Sequence, residues 1–329
     1  VAGNLTNAAN GVLALTVSSP TATPLAVGGT ATLGGGLQVN ALAPFTGNTT
    51  YSLITAGGGV IGTFSAADLP QYAFLDSALV YDANAVNLVV SRNGNSFADV
   101  AATGNQRNTA SALSRNGAAG AALQNEIVNL SVAGARNAFD SLSGEIHAST
   151  ASAMLEDSRY VREAVNDRMR QPSCSAADDP RRALAPSDNQ LSSNGCHGEM
   201  VGWARALGAW GESDGDSNAA KLDRNLSGFM LGTDKQLDDQ WRVGMAAGYT
   251  RSDLDAHDRR SDATVESYHL AAYLNSQFDA LAVRLGAAYS WHDIETKRDV
   301  SVGSYNDRLK ANYDARSAQV FGEVGYTID

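Results

Sequence analysis

The sequence predicts a mixed, three-part chain: an N-terminal β-solenoid end cap, a central α-helical linker and a C-terminal antiparallel transmembrane β-barrel. Three observations carry that expectation. From Met200 to Ile328, apolar residues occupy every second position in six runs of roughly 9 to 14 residues, separated alternately by tight turns and long charged links. Between Ser96 and Arg170, Ala, Ser, Asn, Gln, Leu and Arg dominate and proline is absent. Before that, residues 1–94 are poor in charge and alternate short strand-forming runs with glycine turns.

The expected divisions are residues 1–94 for the cap, 95–170 for the linker, 171–197 for a connecting loop and 198–329 for the barrel. In the cap, Gly11 to Val17 and Ala85 to Val90 read as strands, and Gly28-Gly29, Gly34 to Gly36 and Gly57 to Gly59 as turns. Such spacing fits a sandwich or the last coils of a solenoid. An end coil must cover its hydrophobic stack, for which Tyr51, Phe64, Tyr72, Phe74 and Tyr81 are suitable.

The linker is expected to break near Gly117 and Gly134, and its strongest helix runs from about Gly144 to Arg170. Asp140, Ser141 or Ser143 stands near the start, and Arg168 and Arg170 occupy the last turn, where cations suit the helix dipole. Glu145, Glu156, Asp157, Arg159, Arg162, Glu163, Asp167 and Arg168 spread around most of its circumference. A helix without an oily stripe is either solvated or surrounded by polar walls.

In the last region Trp241, Val243, Met245, Ala247 and Tyr249 share one oily parity, and Leu281, Val283, Leu285, Ala287, Tyr289 and Trp291 another. Tyr268, Leu270, Ala272, Leu274 and Phe278 form a third, Ala318, Val320, Gly322, Val324, Tyr326 and Ile328 a fourth, and Phe229 with Leu231 a further one. In the first run, Val201 to Leu207, either parity could face lipid. Trp241, Val243, Met245, Leu281, Val283, Leu285, Val320 and Val324 are the expected lipid-facing residues, with Trp241, Tyr249, Phe278 and Trp291 at the interfaces. Turns at Asp238 to Gln240 and Asp279-Ala280 are expected on the periplasmic side. The links 212–224, 252–264 and 293–308 are expected outside.

Six strands cannot close around a helix, so about half of a barrel of about 12 strands is expected in this chain. Gly244, Ala246, Gly248, Gly286 and Ala288 leave the inward parity small, with room for a rod roughly 10 Å across. A helix of about 26 residues would reach about 39 Å, enough to cross a bilayer. It is therefore expected to plug the pore through Glu156, Arg159, Arg162, Glu163, Asn166 and Arg168, its arginines meeting strand acids such as Asp234, Glu266 or Glu323.

Composition excludes several alternatives. Only 18% of the 329 residues are charged and 32 are glycine, ill-suited to one compact helical or doubly wound enzyme. No apolar run is long enough for a spanning helix, which leaves a closed barrel as the spanning structure. No basic start leads into an apolar segment at Val1, so the leader of an outer-membrane protein is expected upstream. A net charge of −11 without clustered Lys and Arg argues against nucleic acid. Cys174 and Cys196, the only cysteines, could close a loop of about 20 residues and stabilise it by about 3 kcal/mol in an oxidising compartment, or remain free thiols. With His197 the only other good ligand nearby, zinc is not expected, nor is any cofactor.

The order of cap, helix and barrel resembles the C-terminal part of a classical (type Va) autotransporter. Three stretches carry the resemblance: Tyr51 to Ala56 with Gly62-Thr63-Phe64 and Leu79-Val80-Tyr81-Asp82; Phe139 to Ser149; and Trp203 to Gly208. The resemblance implies an autochaperone segment, marked by Tyr51, Leu53, Ile54, Gly62, Phe64, Leu79, Tyr81, Asp82 and Leu88, that promotes folding of the chain's own passenger. It also implies bacterial outer-membrane localisation with the N-terminal region at the cell surface, and barrel-assembly machinery, periplasmic chaperones and outer-membrane lipid as partners. A surface adhesin, or an esterase or protease with its active domain elsewhere, is the alternative.

No enzyme is expected in this segment. Asp140, Ser143 and His147 have triad residue types but lie along one helical stretch without oxyanion donors. Neither a nucleophile elbow nor a phosphate loop occurs in its strand-to-helix setting. Asn166-Asp167 could support cleavage inside the barrel, but the paired asparagines of relatives that cleave themselves are missing.

Overall fold

Glycine corners and short β runs build the first part of the chain, in a computed structural model that describes residues 1–45, 47–171, 190–192, 200–238 and 240–327. Cys174, Cys196 and most of the expected connecting loop lie outside the described residues, as does Ile328.

The first unit comprises Val1–Ser143 and Val300–Asp307. Its strands are β1 (Leu5–Asn7), β2 (Val12–Val17), β3 (Leu25–Val27), β4 (Ala31–Leu33), β5 (Gly36–Ala41), β6 (Thr49–Ala56), β7 (Val60–Gly62), β8 (Ala66–Asp68), β9 (Leu75–Tyr81) and β10 (Ala85–Arg92). They stack in threes: β1-β4-β7 and β2-β5-β8 are parallel sheets, and β3-β6 begins a third that β10 and β9 complete antiparallel. The corners stack as well, the Gly57 amide donating to Val27 O and the Gly58 amide to Gly29 O, both at 2.9 Å. A Cβ on Gly57 would lie 2.6 Å from the Gly28 carbonyl oxygen, so glycine permits the stacking. Val27, Leu37, Leu53, Ile54, Val86, Leu88 and Val90 share the buried core.

Four helices follow: α1 (Phe97–Val100), α2 (Gly104–Arg115), α3 (Ala121–Val128) and α4 (Val132–Leu142). Thr103 and Ser131 cap α2 and α4 by accepting the amides of Gln106 and Gly134. Gly117, at φ +49, interrupts the helical run as expected of it. The second break falls at residues 129–131, near Gly134 as expected, and Gly134 itself lies in the first turn of α4, where Ser131 takes its amide. Phe74, Phe97, Ile127 and Phe139 form this core together with Val300 and Val302.

The second unit, Gly144–Asp299 with Arg308–Asp329, holds α5 (Glu145–Arg170) and a seven-stranded antiparallel sheet in sequence order. Its strands are β11 (Gln190–Ser192), β12 (Met200–Ser213), β13 (Leu222–Gln236), β14 (Trp241–Ala256), β15 (Ser261–Phe278), β16 (Leu281–Val302) and β17 (Tyr305–Tyr326). The expected long links 252–264 and 293–308 are mostly strand. Their charges pair across neighbours, as Asp262 stands opposite Lys297 and Arg308 donates to Asp299 at 2.6 Å, so charged runs extend the ladder instead of leaving it. The helical stretch 95–170 is divided between the units, α1–α4 in the first and α5 in the second.

Candidate functional site

One face of the large sheet carries α5. Val161, Ala164, Val165 and Met169 of the helix pack with Trp203, Leu207, Met230, Ala246, Ala271, Tyr273, Ala288 and Phe321. The glycines of this face are not empty space for the helix. Trp203 stands opposite Gly232 and Tyr273 opposite Gly244, and a Cβ on either glycine would collide with that ring, as one on Gly286 would with Phe321. Each ring fills the space that a side chain at its glycine would take. The parity left open in β12 is thereby decided: Trp203 and Leu207 face the helix.

Polar contacts concentrate at the C-terminal end of α5. Arg168 donates to both oxygens of Asp234, at 2.6 and 3.0 Å, and both side chains are buried. Asp234 also accepts the Tyr273 hydroxyl at 2.9 Å, and that hydroxyl accepts the Trp203 indole N–H at 2.7 Å. The last carbonyls of a helix have no partner within it. Arg242 supplies them, its Nη2 donating to Arg168 O at 3.0 Å and Met169 O at 2.8 Å, with Nη1 3.2 Å from Gln171 O. Asn275, opposite Arg242, donates to Met169 O at 3.2 Å. Glu323 binds Arg170 and Arg284, and Asp167 binds Arg205.

Farther along, Glu156 accepts from Arg224 at 2.7 Å, Asp157 from the Ser252 hydroxyl at 2.6 Å, and Ser158 O from Gln319 at 3.1 Å. At the N-terminal turn Glu145 accepts the Ala220 amide at 2.6 Å and Arg259 Nε at 3.0 Å. Ile146 is buried among Leu254, Ala256, Ala263, Val265 and Ile294, and His147 Nδ1 lies 3.0 Å from the Tyr313 hydroxyl. In the sheet itself His269 sits between Thr250 and Ser290, and His292 between Ser267 and Ser317.

Of the six helix residues expected to plug the pore, Glu156 and Arg168 bind side chains of the strands, as their helix neighbours Asp157, Asp167 and Arg170 also do. Arg159 instead stacks on Tyr160, 4.8 Å from its ring centre, and Glu163 is exposed. Arg162 and Asn166 are half-buried. Glu266 binds Arg251 and Tyr249 on the opposite face of the sheet, away from α5. Sequence reading missed Arg242, Arg284, Tyr273 and Arg205. A signal existed for the first two, since each is an arginine at the small-residue parity of an otherwise oily strand.

In the cap, Tyr51, Leu53, Ile54, Phe64 and Leu88 are buried. Tyr81 Oη accepts the Phe64 amide at 3.2 Å, and Asp82 accepts from Asn87 at 2.8 Å across the β9–β10 turn. Leu79 lies in β9, half-buried, and Gly62 ends β7 at φ +78. The triad-like residues are occupied elsewhere: Ser143 donates to Asp140 O, and an Asp140 oxygen accepts from Gln106. Gly211-Glu212-Ser213-Asp214-Gly215 has nucleophile-elbow spacing, but it leads from β12 towards β13 with no helix following, and Ser213 is exposed. Among the described residues no acidic, His and Cys cluster could hold a metal, and no helix is long and apolar enough to cross a membrane.

The far face changes character along the strands. Phe229, Tyr249, Tyr268 and Trp291 stand opposite one another in a transverse aromatic row. On one side of it come Leu231, Ala247, Leu270 and Tyr289, then Met245, Ala272 and Ala287, then Val243, Leu274 and Leu285, as far as the Trp241 and Phe278 rings, 5.9 Å apart. All eight residues expected to meet lipid are on this face. On the other side of the row the same face carries Arg251, Asp253, Asp255, Asp262, Glu266, Asp293 and Glu295. There the helix face turns apolar, with Leu254, Ala256, Ala263, Val265 and Ile294.

A strand wall with an apolar belt between aromatic rows, and a polar helix bonded to its other face, is the architecture of an outer-membrane β-domain. Residues 202–329 match the family model of the autotransporter β-domain, and the chain belongs to the classical, type Va autotransporters, outer-membrane translocators of type V secretion. Two extracellular serine proteases of Serratia marcescens are 34% and 33% identical to it over 317 and 318 residues, covering 84% of this chain and 29% of each relative. Esterase EstA of Pseudomonas aeruginosa is 28% identical over 132 residues, 38% of this chain and 20% of that protein. The chain therefore spans under a third of the length of these relatives.

Proposed function

We propose that the β12–β17 wall forms part of a closed outer-membrane barrel whose pore α5 fills, and through which the passenger reaches the cell surface. The observation that carries this reading is the exchange of side-chain polarity at the Phe229, Tyr249, Tyr268 and Trp291 row. Nothing in strand geometry requires such an exchange; a change of surroundings from hydrocarbon to water does. From Trp241 to Tyr249 the belt runs about 26 Å along the strand at roughly 3.3 Å per residue, of the order of an outer-membrane apolar band. A cysteine-linked fluorophore at Met245 or Leu285 is expected to be quenched by brominated lipid, and one at Asp253 or Glu295 to remain bright. Bright labels at Met245 and Leu285 would overturn the reading.

The stacked parallel sheets support a second element, the closing turns of a β-solenoid with β9 and β10 as its lid, acting as an autochaperone. Barrel-assembly machinery and periplasmic chaperones insert the β-domain, outer-membrane lipid surrounds it, and the N-terminal region stands at the cell surface. Folding there gives export a direction without ATP, because a folded solenoid cannot slide back. Deleting residues 45–90 is expected to leave the β-domain inserted and the passenger protease-sensitive; a protease-resistant passenger would count against it. The Serratia relatives, both extracellular serine proteases, favour a protease as the passenger.

A further inference from the structure

Glu145 opens α5, and its carboxylate is almost wholly buried, its side chain 6% exposed. One oxygen accepts the Ala220 amide from the β12–β13 connection, and the other accepts Arg259 Nε from the β14–β15 connection. These partners lie 75 and 114 residues away in sequence. The first connection is shaped for the contact: Asp216 accepts the amides of Asn218 and Ala219, both at 2.6 Å, which turns the chain just before Ala220. Beside Glu145, Ile146 fills the apolar pocket of β14, β15 and β16, and His147 meets Tyr313 of β17. Three consecutive residues thus engage β14–β17 and two of the connections.

We propose that Glu145 is a latch that draws the β12–β13 and β14–β15 connections over the end of the seated helix and closes that mouth of the pore. The proposal rests on α5 filling the pore. Glu145 is a positioning residue; it acts through the two connections. A carboxylate can accept from both donors only at one axial position of α5. Displacing the helix by two residues moves Glu145 by about 3 Å, beyond hydrogen-bond reach of both donors. The same displacement would break the Arg168–Asp234 pair at the other end, so the latch closes only when the helix has stopped in register.

Outer membranes carrying the parent autotransporter, its Glu145→Gln variant and its Arg259→Gln variant test this. Glutamine keeps an oxygen for the Ala220 amide and removes the charge that holds Arg259. Trypsin nicking after Arg259 or Arg260 is expected to speed up about tenfold in Glu145→Gln, the loss of one charge-assisted hydrogen bond. Nicking after Arg260 is expected to rise similarly in Arg259→Gln, which leaves the helix unaltered. Ion current through the purified protein in planar bilayers is expected to grow in both, with heat-modifiable gel migration unchanged. Nicking and current equal to the parent's, with that migration intact, would overturn the latch alone. A parent that already conducts like one lacking residues 145–170 would overturn the filled pore, and the latch with it.

Discussion

Tyr273 lies in the notch left by Gly244 on the neighbouring strand, and from there its hydroxyl reaches both Asp234 and Trp203. A side chain at residue 244 and the ring of residue 273 compete for one volume. Gly244→Val is therefore expected to lower stability by about 1–3 kcal/mol, the usual penalty of overpacking. Urea unfolding of the parent in detergent measures it. An unchanged midpoint would mean that the notch is not needed.

Among the described residues, Asp234 is the carboxylate that pairs with the buried Arg168 guanidinium. Removing one partner of a buried pair strands the other, so Asp234→Ala is expected to destabilise by about 3–5 kcal/mol. Replacing both partners, as Arg168→Met with Asp234→Leu, is expected to recover most of that loss. The same unfolding series compares the variants, and equal losses in the single and double variants would contradict the pairing.

Arg242 joins a strand to the carbonyls of the last turn of α5. A cation at a helix C-terminus stabilises it by up to about 2 kcal/mol when partly buried. Arg242→Gln is expected to raise hydrogen exchange selectively in peptides covering residues 160–171, leaving β14 and β15 protected. Uniform exchange across helix and strands would point to a general loss of packing.

Glu126 accepts the Ser304 amide at 3.0 Å and its hydroxyl, and these bonds hold its carboxyl below the usual glutamate range. A lowered folded-state pKa stabilises above the unfolded value and loses that contribution as pH falls through the folded one. Protease resistance of the segment α3–α4 is thus expected to be constant from neutral pH to about 5 and to fall below about 4. Glu126→Gln is expected to remove that acid step, which limited proteolysis across pH can follow.

Much of the strand wall was legible because alternation is local. Trp241 to Tyr249 and Leu281 to Trp291 declare two faces without knowledge of their neighbours, and α5 spans Glu145–Arg170 almost as its composition predicts. The charged stretches were misleading for a physical reason. Charges on a strand are tolerated when the adjacent strand supplies opposite charge or water, and Asp262 gives no sign of Lys297 in its own surroundings. Gly134 marked a real break, but the break itself falls at residues 129–131 and Gly134 stands just after it, in the turn that Ser131 caps.

The sequence by itself determined the order of elements, the two faces of most strands and the polar character of α5. Tertiary structure decided which face of β12 meets the helix, which acids its arginines find, and that α1–α4 pack with the first unit while α5 packs with the strands. Periodicity follows from backbone geometry, which each segment carries within itself. Pairing follows from register, and register exists only between segments: Arg168 and Asp234 are 66 positions apart in the chain and 2.6 Å apart in space.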